Sequence, residues 1–459
     1  MVIIRRMRHS RFALCLIFAV ALLTAPFARS QSNTAGSQPS AAASAAAFQK
    51  FWAAGSPAEA ARAIEDIAKS GVRFDDALRI LKAGRTYTAQ PTGVLMLQNR
   101  TSDDLDHFYA VNVPANYDPS RRYQVRFQLH GGVGGRQDNK PRGDGAIGAL
   151  AGADQIYVLP YAWDHAPWWD DDQILNLNAI VDSLKRTYNI DENRVVVSGV
   201  SDGGTGTYFI AMRDTTPFAS FLPLNGYIMV LANEEIDDGR IFPNNLRNKP
   251  LFVVNGGKDR LYPIATTEPF TQHLMLAGVD ITYDPQPDGE HNTKWWPEVK
   301  DTYEKFVSDH PRDPNPAKLT WEAADLTYNR DHWLIIDKFG DAPGQAKTLP
   351  DANAVTQFQL DGDTETQGTL FNPAKTQGRV DLERTGNTVV ATTMGVKAFT
   401  LLLSPDVFDF NQPIKVVANG REVFHARVER SVQTLLKWAA RDNDRTMLYG
   451  AELHIDLAH

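Results

Sequence analysis

Hydrophobic and polar residues follow three different rhythms along this chain. From Phe48 to Lys82 the apolar positions recur at helical spacing. Ser56-Pro57-Ala58-Glu59 opens one helix, with Ser as cap and Pro in the first turn, and Ala61, Ile64, Ile67 and Ala68 follow on a common face. Gly71 ends that helix, and Phe74-Asp75-Asp76-Ala77-Leu78-Arg79-Ile80-Leu81 begins another. Two short helices cannot enclose a core, so they are expected to pack on the domain that follows.

Residues 92–130 alternate apolar with polar side chains, as strands near a sheet edge do. Gly93-Val94-Leu95-Met96-Leu97, Phe108-Tyr109-Ala110-Val111-Asn112-Val113 and Tyr123-Gln124-Val125-Arg126-Phe127-Gln128-Leu129 read as strands, with a turn at Asn116-Tyr117-Asp118-Pro119. Strands and helices then take turns. Strands are predicted over 156–160, 194–198, 221–224, 251–255 and 281–283, and helices over 172–188, 267–277 and 297–308. The first of these helices places Ile174, Leu177, Ile180, Val181, Leu184 and Tyr188 on one face. A βαβα order specifies an α/β fold: a mainly parallel sheet with helices on both faces, whose sites gather at the carboxyl ends of the strands.

His310-Pro311-Arg312-Asp313-Pro314-Asn315-Pro316 breaks that rhythm. Beyond it, short strands over 319–322, 332–336, 379–382, 388–392, 400–403 and 414–417, a hairpin turn at Asn419-Gly420, a helix over 431–441 and a strand over 452–457 predict a β-sandwich-like domain with one helix. The expected division is an N-terminal helical segment over 47–91, an α/β domain over 92–312 and a β-rich domain over 317–459.

The first residues change this picture. Arg5, Arg6, Arg8 and Arg11 precede an apolar run from Phe12 to Thr24, and Ala28-Arg29-Ser30 follows Pro26. A basic stretch, a short apolar stretch and small residues at a cleavage position form an export signal over 1–30. The alternative, an uncleaved anchor, meets a run short for a bilayer span. Residues 31–46, rich in Ser and Ala, read as a disordered linker. Export to the periplasm or beyond removes Cys15, the only cysteine, so the mature chain has no thiol for a disulfide, a nucleophile or a thiolate metal site. It also removes five arginines and moves the net charge from −8 to −13. A chain so acidic is a poor partner for nucleic acid or an anionic membrane surface. The roughly 430 remaining residues call for more than one domain.

Candidate chemistry centres on Val195-Val196-Val197-Ser198-Gly199-Val200-Ser201-Asp202-Gly203-Gly204. A β-branched strand runs straight into G-x-S-x-G. Where a strand turns abruptly into a helix, the serine is held in a strained conformation, and the residues two before and two after it must be small. A serine nucleophile needs a base, and the base needs an acid that orients it. Asp259 lies in Gly256-Gly257-Lys258-Asp259, just past the 251–255 strand, and His291 in Gly289-Glu290-His291, past the 281–283 strand. The expected set is Ser201, Asp259 and His291. Asp288 is the rival acid, too near His291 along the chain, and His273 and His310 are the weaker candidate bases. Two backbone donors are needed for a developing oxyanion. The Asp202 N–H is one, and Gly132 or Gly131, after Leu129-His130, supplies the other. His130 is expected to brace this loop. The Asp202 side chain either points away beside the helix dipole or meets a cationic part of a substrate. Trp168, Trp169 and Trp295 are candidate pocket residues, with Trp163 and Trp296 nearby, or else packing residues. The triplet Asp170-Asp171-Asp172 reads as a solvated helix N-terminus, with a calcium site as the alternative.

With these residues the chain resembles the α/β-hydrolase superfamily, over roughly 92–310. Gly199 to Gly203, His130-Gly131-Gly132, Asp259 and His291 match its elbow, oxyanion loop, acid and base in order. Asn193-Arg194-Val195 into Ser201-Asp202-Gly203-Gly204 is similar to secreted bacterial esterases of the polyhydroxybutyrate-depolymerase, feruloyl-esterase and carboxylesterase kind. The resemblance implies an α/β-hydrolase fold and hydrolysis of small or polymeric carboxylic esters through an acyl-enzyme, with no cofactor and no metal. Asp202 departs from the neutral residue common at that place in the family, and the cysteines common in secreted depolymerases are absent. A serine peptidase resembling the prolyl-oligopeptidase group, or a binding protein with an adhesive C-terminal module, are the alternatives.

Overall fold

The β-branched runs in the middle of the chain assemble into one sheet. The computed structural model describes residues 41–101, 105–135, 145, 147–340, 351–356, 367–372 and 377–457. The expected export signal and the linker up to residue 40 lie outside the described residues. The sheet contains β1 (Gly93–Arg100), β2 (Asp106–Val113), β3 (Tyr123–Leu129), β4 (Ile156–Pro160), β5 (Ile190–Val200), β6 (Ser220–Leu224), β7 (Leu251–Val253) and β8 (Ile281–Tyr283). Their order is β1-β2-β4-β3-β5-β6-β7-β8. The pairings of β1 with β2 and of β2 with β4 are antiparallel, and all those from β4 to β8 are parallel. The alternating stretch thus forms the antiparallel end, and the continuous apolar runs form the parallel part.

Alternation within β5 explains how both faces are covered. Val195 and Val197 enter a core shared with α4 (Asp171–Thr187) and α5 (Asp202–Arg213), to which α6 (Ile264–Leu276) adds Leu274. Val196 points the other way, toward Leu222, Leu224, Phe252 and Val254 and the apolar face of α7 (Trp296–Asp309). Strands β6 and β7 are buried along their whole length, and β5 lies in the middle with its carboxyl end open to loops.

Beyond residue 317 two sheets face each other. β9 (Lys318–Ala323), β14 (Gly378–Thr385), β15 (Thr388–Met394), β17 (Ile414–Ala418) and β18 (Arg421–Ala426) form one, and β10 (Arg330–Asp331), β11 (Leu334–Phe339), β16 (Val396–Leu403) and β19 (Ala451–Asp456) the other. Trp321, Val380 and Val416 of the first meet Leu334, Phe399 and Leu453 of the second in a shared core. The β17–β18 turn has Asn419 at φ 50° and Gly420 at φ 79°, the left-handed pair that an Asn-Gly hairpin supplies. A ribbon of β12 (Ala354–Thr356) and β13 (Gln367–Thr369) stands apart from both sheets. Val355 of β12, with Ala352, Leu370 and Phe371 beside the strands, enters the core of the α/β sheet.

The N-terminal helices differ from expectation in two ways. α1 (Ala41–Ala53) begins inside the stretch read as linker: its alanines favour helix, and Phe48 and Phe51 are buried. With α2 (Pro57–Lys69) and α3 (Phe74–Ala83) it packs chiefly on α8 (Val432–Asp442), far along the chain, and not on the sheet that follows. α8 is apolar on two sides. Trp438 enters the sandwich core, and Leu435, Leu436, Ala439 and Ala440 remain to cover Phe51, Ile67 and Leu81.

The Pro-rich break is tied down. Arg312 is buried, donating to the Thr216 carbonyl at 3.0 Å and to the Asp444 carboxylate at 2.8 Å. Burial opposes the charge on Asp444, but Arg312 and Lys185 hold it ionised well below the usual carboxylate range. Glu322 of β9 lies at the same seam, with Asn244 donating to it at 2.8 Å. Burial pushes its carboxyl up to about 7, against the opposing pull of Arg379 and that hydrogen bond. Between the unfolded value and 7 the native state holds the extra proton, so stability falls as pH rises through that window. Glu322→Gln is expected to lose that part of the slope. Urea titrations at pH 5 and pH 8 should show the variant gaining on the order of 2 kcal/mol relative to wild type at the higher pH.

Candidate active site

Ser201 stands where β5 ends and α5 begins. Its backbone has φ 57° and ψ −120°, a conformation that costs a residue with a side chain about 1–3 kcal/mol. The strand and helix meet closely enough to require glycine on either side of it. A Cβ on Gly199 would lie 2.1 Å from the Gly203 carbonyl oxygen, and one on Gly203 would lie 2.2 Å from that of Leu129. The Ser201 N–H donates to the Leu224 carbonyl of β6 at 2.9 Å, which fixes the turn to the neighbouring strand. A mixed sheet with this order, both faces covered by helices, carries a strained serine on the turn after its middle strand.

The core is an α/β-hydrolase fold.

In this hydrolase fold the loops after β7 and β8 converge on Ser201. Asp259 is buried, and its Oδ1 accepts the N–H groups of Leu261 at 2.8 Å and Tyr262 at 3.0 Å. Its Oδ2 lies 2.7 Å from His291 Nδ1, and His291 Nε2 lies 2.8 Å from Ser201 Oγ. A carboxylate only accepts, so Nδ1 carries the proton and Nε2 is free to accept the hydroxyl proton. The two loops are stitched together. Gly257 N–H donates to the Gln286 carbonyl at 2.8 Å and Lys258 N–H to that of Gly289 at 2.9 Å. Asn225 donates to the Asn292 carbonyl at 2.9 Å and holds the histidine loop from the β6 side. The rivals are engaged elsewhere. Asp288 is exposed and pairs with Lys258, His273 faces the Ala352 carbonyl at 3.0 Å, and His310 that of Phe306 at 2.7 Å.

The loop after β3 closes the other side. Gly131 lies against the nucleophile, for a Cβ there would be 2.9 Å from Ser201 Cβ. Gly132 follows at φ 73°. The Asp202 N–H, at the first position of α5, has no acceptor within its own helix. His130 Nε2 accepts the Ala162 N–H at 3.0 Å, which leaves Nδ1 to donate to the Gly131 carbonyl at 3.0 Å. His130 therefore braces this loop. The Asp202 side chain neither points away nor waits for a cation: its Oδ2 accepts the Val133 N–H at 3.0 Å.

The tryptophans singled out from sequence lie elsewhere than in an open pocket. Trp168 is fully buried and donates to the His130 carbonyl at 2.8 Å, so it supports the glycine loop from beneath. Trp295 is buried against the α7 face of the sheet, and Trp169 packs partly buried on the opposite core. Large aromatics near active loops are as useful for holding those loops as for meeting a ligand, and packing took these. Asp170 caps α4 through the Asp172 N–H at 2.9 Å, and Asp171 is within 3.7 Å of Arg213, so the acidic triplet is a helix start joined to an ion pair. The aromatic wall beside His291 comes instead from Tyr262, ring centroids 5.6 Å apart, with Tyr227 5.7 Å beyond it and Phe270 5.6 Å beyond that. The position of Tyr262, three residues after Asp259 in the same loop, was its only sequence signal.

No protein-family model matches the chain. In sequence it is similar to the bifunctional acetylxylan esterase/xylanase XynS20E of Neocallimastix patriciarum, 26% identical over 192 residues, which are 42% of this chain and 24% of that protein. It is also similar to a probable feruloyl esterase C of Aspergillus terreus, 24% identical over 175 residues, 37% of this chain and 63% of the relative. The match thus spans less than two thirds of either relative's length. Among solved structures, a thermostable esterase is similar over 48% of this chain and 63% of its own, with 21% identity and a TM-score of 0.38. No helix among the described residues is long and apolar enough to cross a membrane.

Proposed function

We propose that this protein is a serine hydrolase of carboxylic esters. The observation that carries the proposal is the continuous hydrogen-bonded line from buried Asp259 through His291 to a strained Ser201. Ser201 Oγ attacks the ester carbonyl as its proton passes to His291 Nε2. The resulting tetrahedral anion is held by backbone N–H groups, those of Asp202 and Gly132, with Gly131 the alternative to Gly132. Collapse of that anion breaks the bond to the alcohol, which leaves with the proton from His291. Water then attacks the acyl-Ser201 ester in the same way and releases the acid. Asp259 holds the imidazole and balances its charge while it is protonated.

Tyr262 and Tyr227 favour an ester with an aromatic group. Half-burial, then Asp202 and Asp259, push the Tyr262 hydroxyl above its ordinary value, so it stays protonated and can donate beside a ring that stacks. The two relatives, by name an acetylxylan esterase/xylanase and a feruloyl esterase, support esters of plant cell-wall polysaccharides as the substrate class. The basic, then apolar, first 30 residues support export to where such polymers occur. Initial rates on an acetyl ester, a hydroxycinnamoyl ester and an aminoacyl anilide test this. Ester turnover without amide turnover is expected, and preferential amide cleavage would indicate a peptidase. Tyr262→Ala should raise KM for the hydroxycinnamoyl ester about tenfold, the worth of one aromatic contact, and leave KM for the acetyl ester unchanged.

A further inference from the structure

The loop from Leu129 to Val133 is held at two points. At one end His130 fixes the Gly131 carbonyl, and Trp168 fixes the carbonyl of His130 itself. At the other end the Val133 N–H is held by the Asp202 carboxylate at 3.0 Å. Between these points only the Gly131–Gly132 peptide is free of side chains, and it passes against Ser201. Glycine adds no stiffness of its own, so the direction of the Gly132 N–H depends on what holds the residues either side. In a trans peptide the C=O and N–H point opposite ways. With the Gly131 oxygen turned toward His130, the Gly132 N–H turns away from it. Val133 is also buried in the main core, which keeps the far end of the loop in place.

A carboxylate is an unexpected choice beside a developing anion, because its charge opposes the charge that the site must stabilise. The family resemblance leads to a neutral residue here. The hydrogen bond gives the reason for its presence. We propose that Asp202 is a positioning residue: its carboxylate grips the Val133 N–H and thereby aims the Gly132 N–H at the oxyanion. The inference rests on the ester-hydrolase proposal. Its content is the acceptor at Asp202, and the negative charge is incidental to it.

The test measures kcat and KM on an acetyl ester, and the affinity for phenylboronic acid, which forms a tetrahedral anion on a serine nucleophile. Wild type, Asp202→Ala and Asp202→Asn are compared, with thermal melts of each. Asp202→Ala should lower kcat roughly 30- to 100-fold, as a misplaced group near a reacting centre does, with KM little changed. Boronate affinity should fall by the same factor. Asp202→Asn keeps an acceptor oxygen without the charge and should recover kcat to within about threefold of wild type. Three results would overturn the inference: wild-type kcat in Asp202→Ala, an equal loss in both variants, or a change in KM alone. If Asp202→Ala does not fold, Asp202→Ser, whose oxygen is one bond too short to reach Val133, takes its place with the same expected loss. If the wild-type protein shows no Ser201-dependent turnover, it is the ester-hydrolase proposal that fails, and this inference with it.

Discussion

Ser201→Ala is expected to abolish labelling by a fluorophosphonate and to lower kcat on esters by roughly 10⁵- to 10⁶-fold. The loss follows from the geometry. Without Oγ, His291 Nε2 has no proton to take and no atom forms the acyl intermediate. The variant should fold normally. Alanine retains the Cβ that the elbow already accommodates at φ 57°, and the N–H that donates to Leu224 belongs to the backbone. An unchanged melting temperature would therefore separate lost chemistry from lost structure. Labelling that persists in the variant would move the nucleophile to another residue. Absence of labelling in folded wild type would mean that the serine is not activated, and a binding role would then explain the chain better.

Asp259→Asn is expected to lower kcat by roughly 10⁴-fold while KM changes little. The direction of the amide is decided by its surroundings. Leu261 and Tyr262 both present N–H groups to Oδ1, so the asparagine oxygen is drawn there and its NH₂ is turned toward His291. Facing a donor, His291 Nδ1 must accept, and the ring proton moves to Nε2. The imidazole then points an N–H at the Ser201 hydroxyl and cannot take its proton. The fold should persist, because both backbone hydrogen bonds to the side chain survive. Asp288→Asn is the control. Asp288 is exposed and paired with Lys258, and its replacement should leave kcat within about twofold of wild type. Full turnover in Asp259→Asn would rule out Asp259 as the residue that orients the base.

The parts of this molecule that could be read from sequence are those with local causes. The continuous apolar run at 251–255 and the β-branched run at 195–197 read as buried strands, and they form the parallel centre of the sheet. Ser56 capping α2, with its side chain accepting the Glu59 N–H at 3.2 Å, and the left-handed Asn419-Gly420 turn are equally local. The elbow belongs with them in part, since Gly199 is demanded by a clash with Gly203 four residues on, whereas Gly203 is demanded by the Leu129 carbonyl of the neighbouring strand. Order along the chain was enough to nominate Asp259 and His291, because each follows a strand whose carboxyl end must face the same edge.

What the sequence could not settle depended on which distant surfaces met. α8 carried apolar residues on two sides, and only the assembled molecule showed that one side covers the N-terminal helices. Trp168 and Trp295 had the composition of a pocket, but packing buried them, and Tyr262, half-buried, took the position beside His291. The Asp202 carboxylate had two open readings and took neither, because its acceptor met an N–H about seventy residues earlier in the chain. Local sequence determined the elements, the strained serine and the order of its partners, because steric limits and hydrogen bonding act over a few residues. Tertiary structure decided which polar atom meets which, because a directional bond between distant segments exists only once the cores beneath both have fixed their positions.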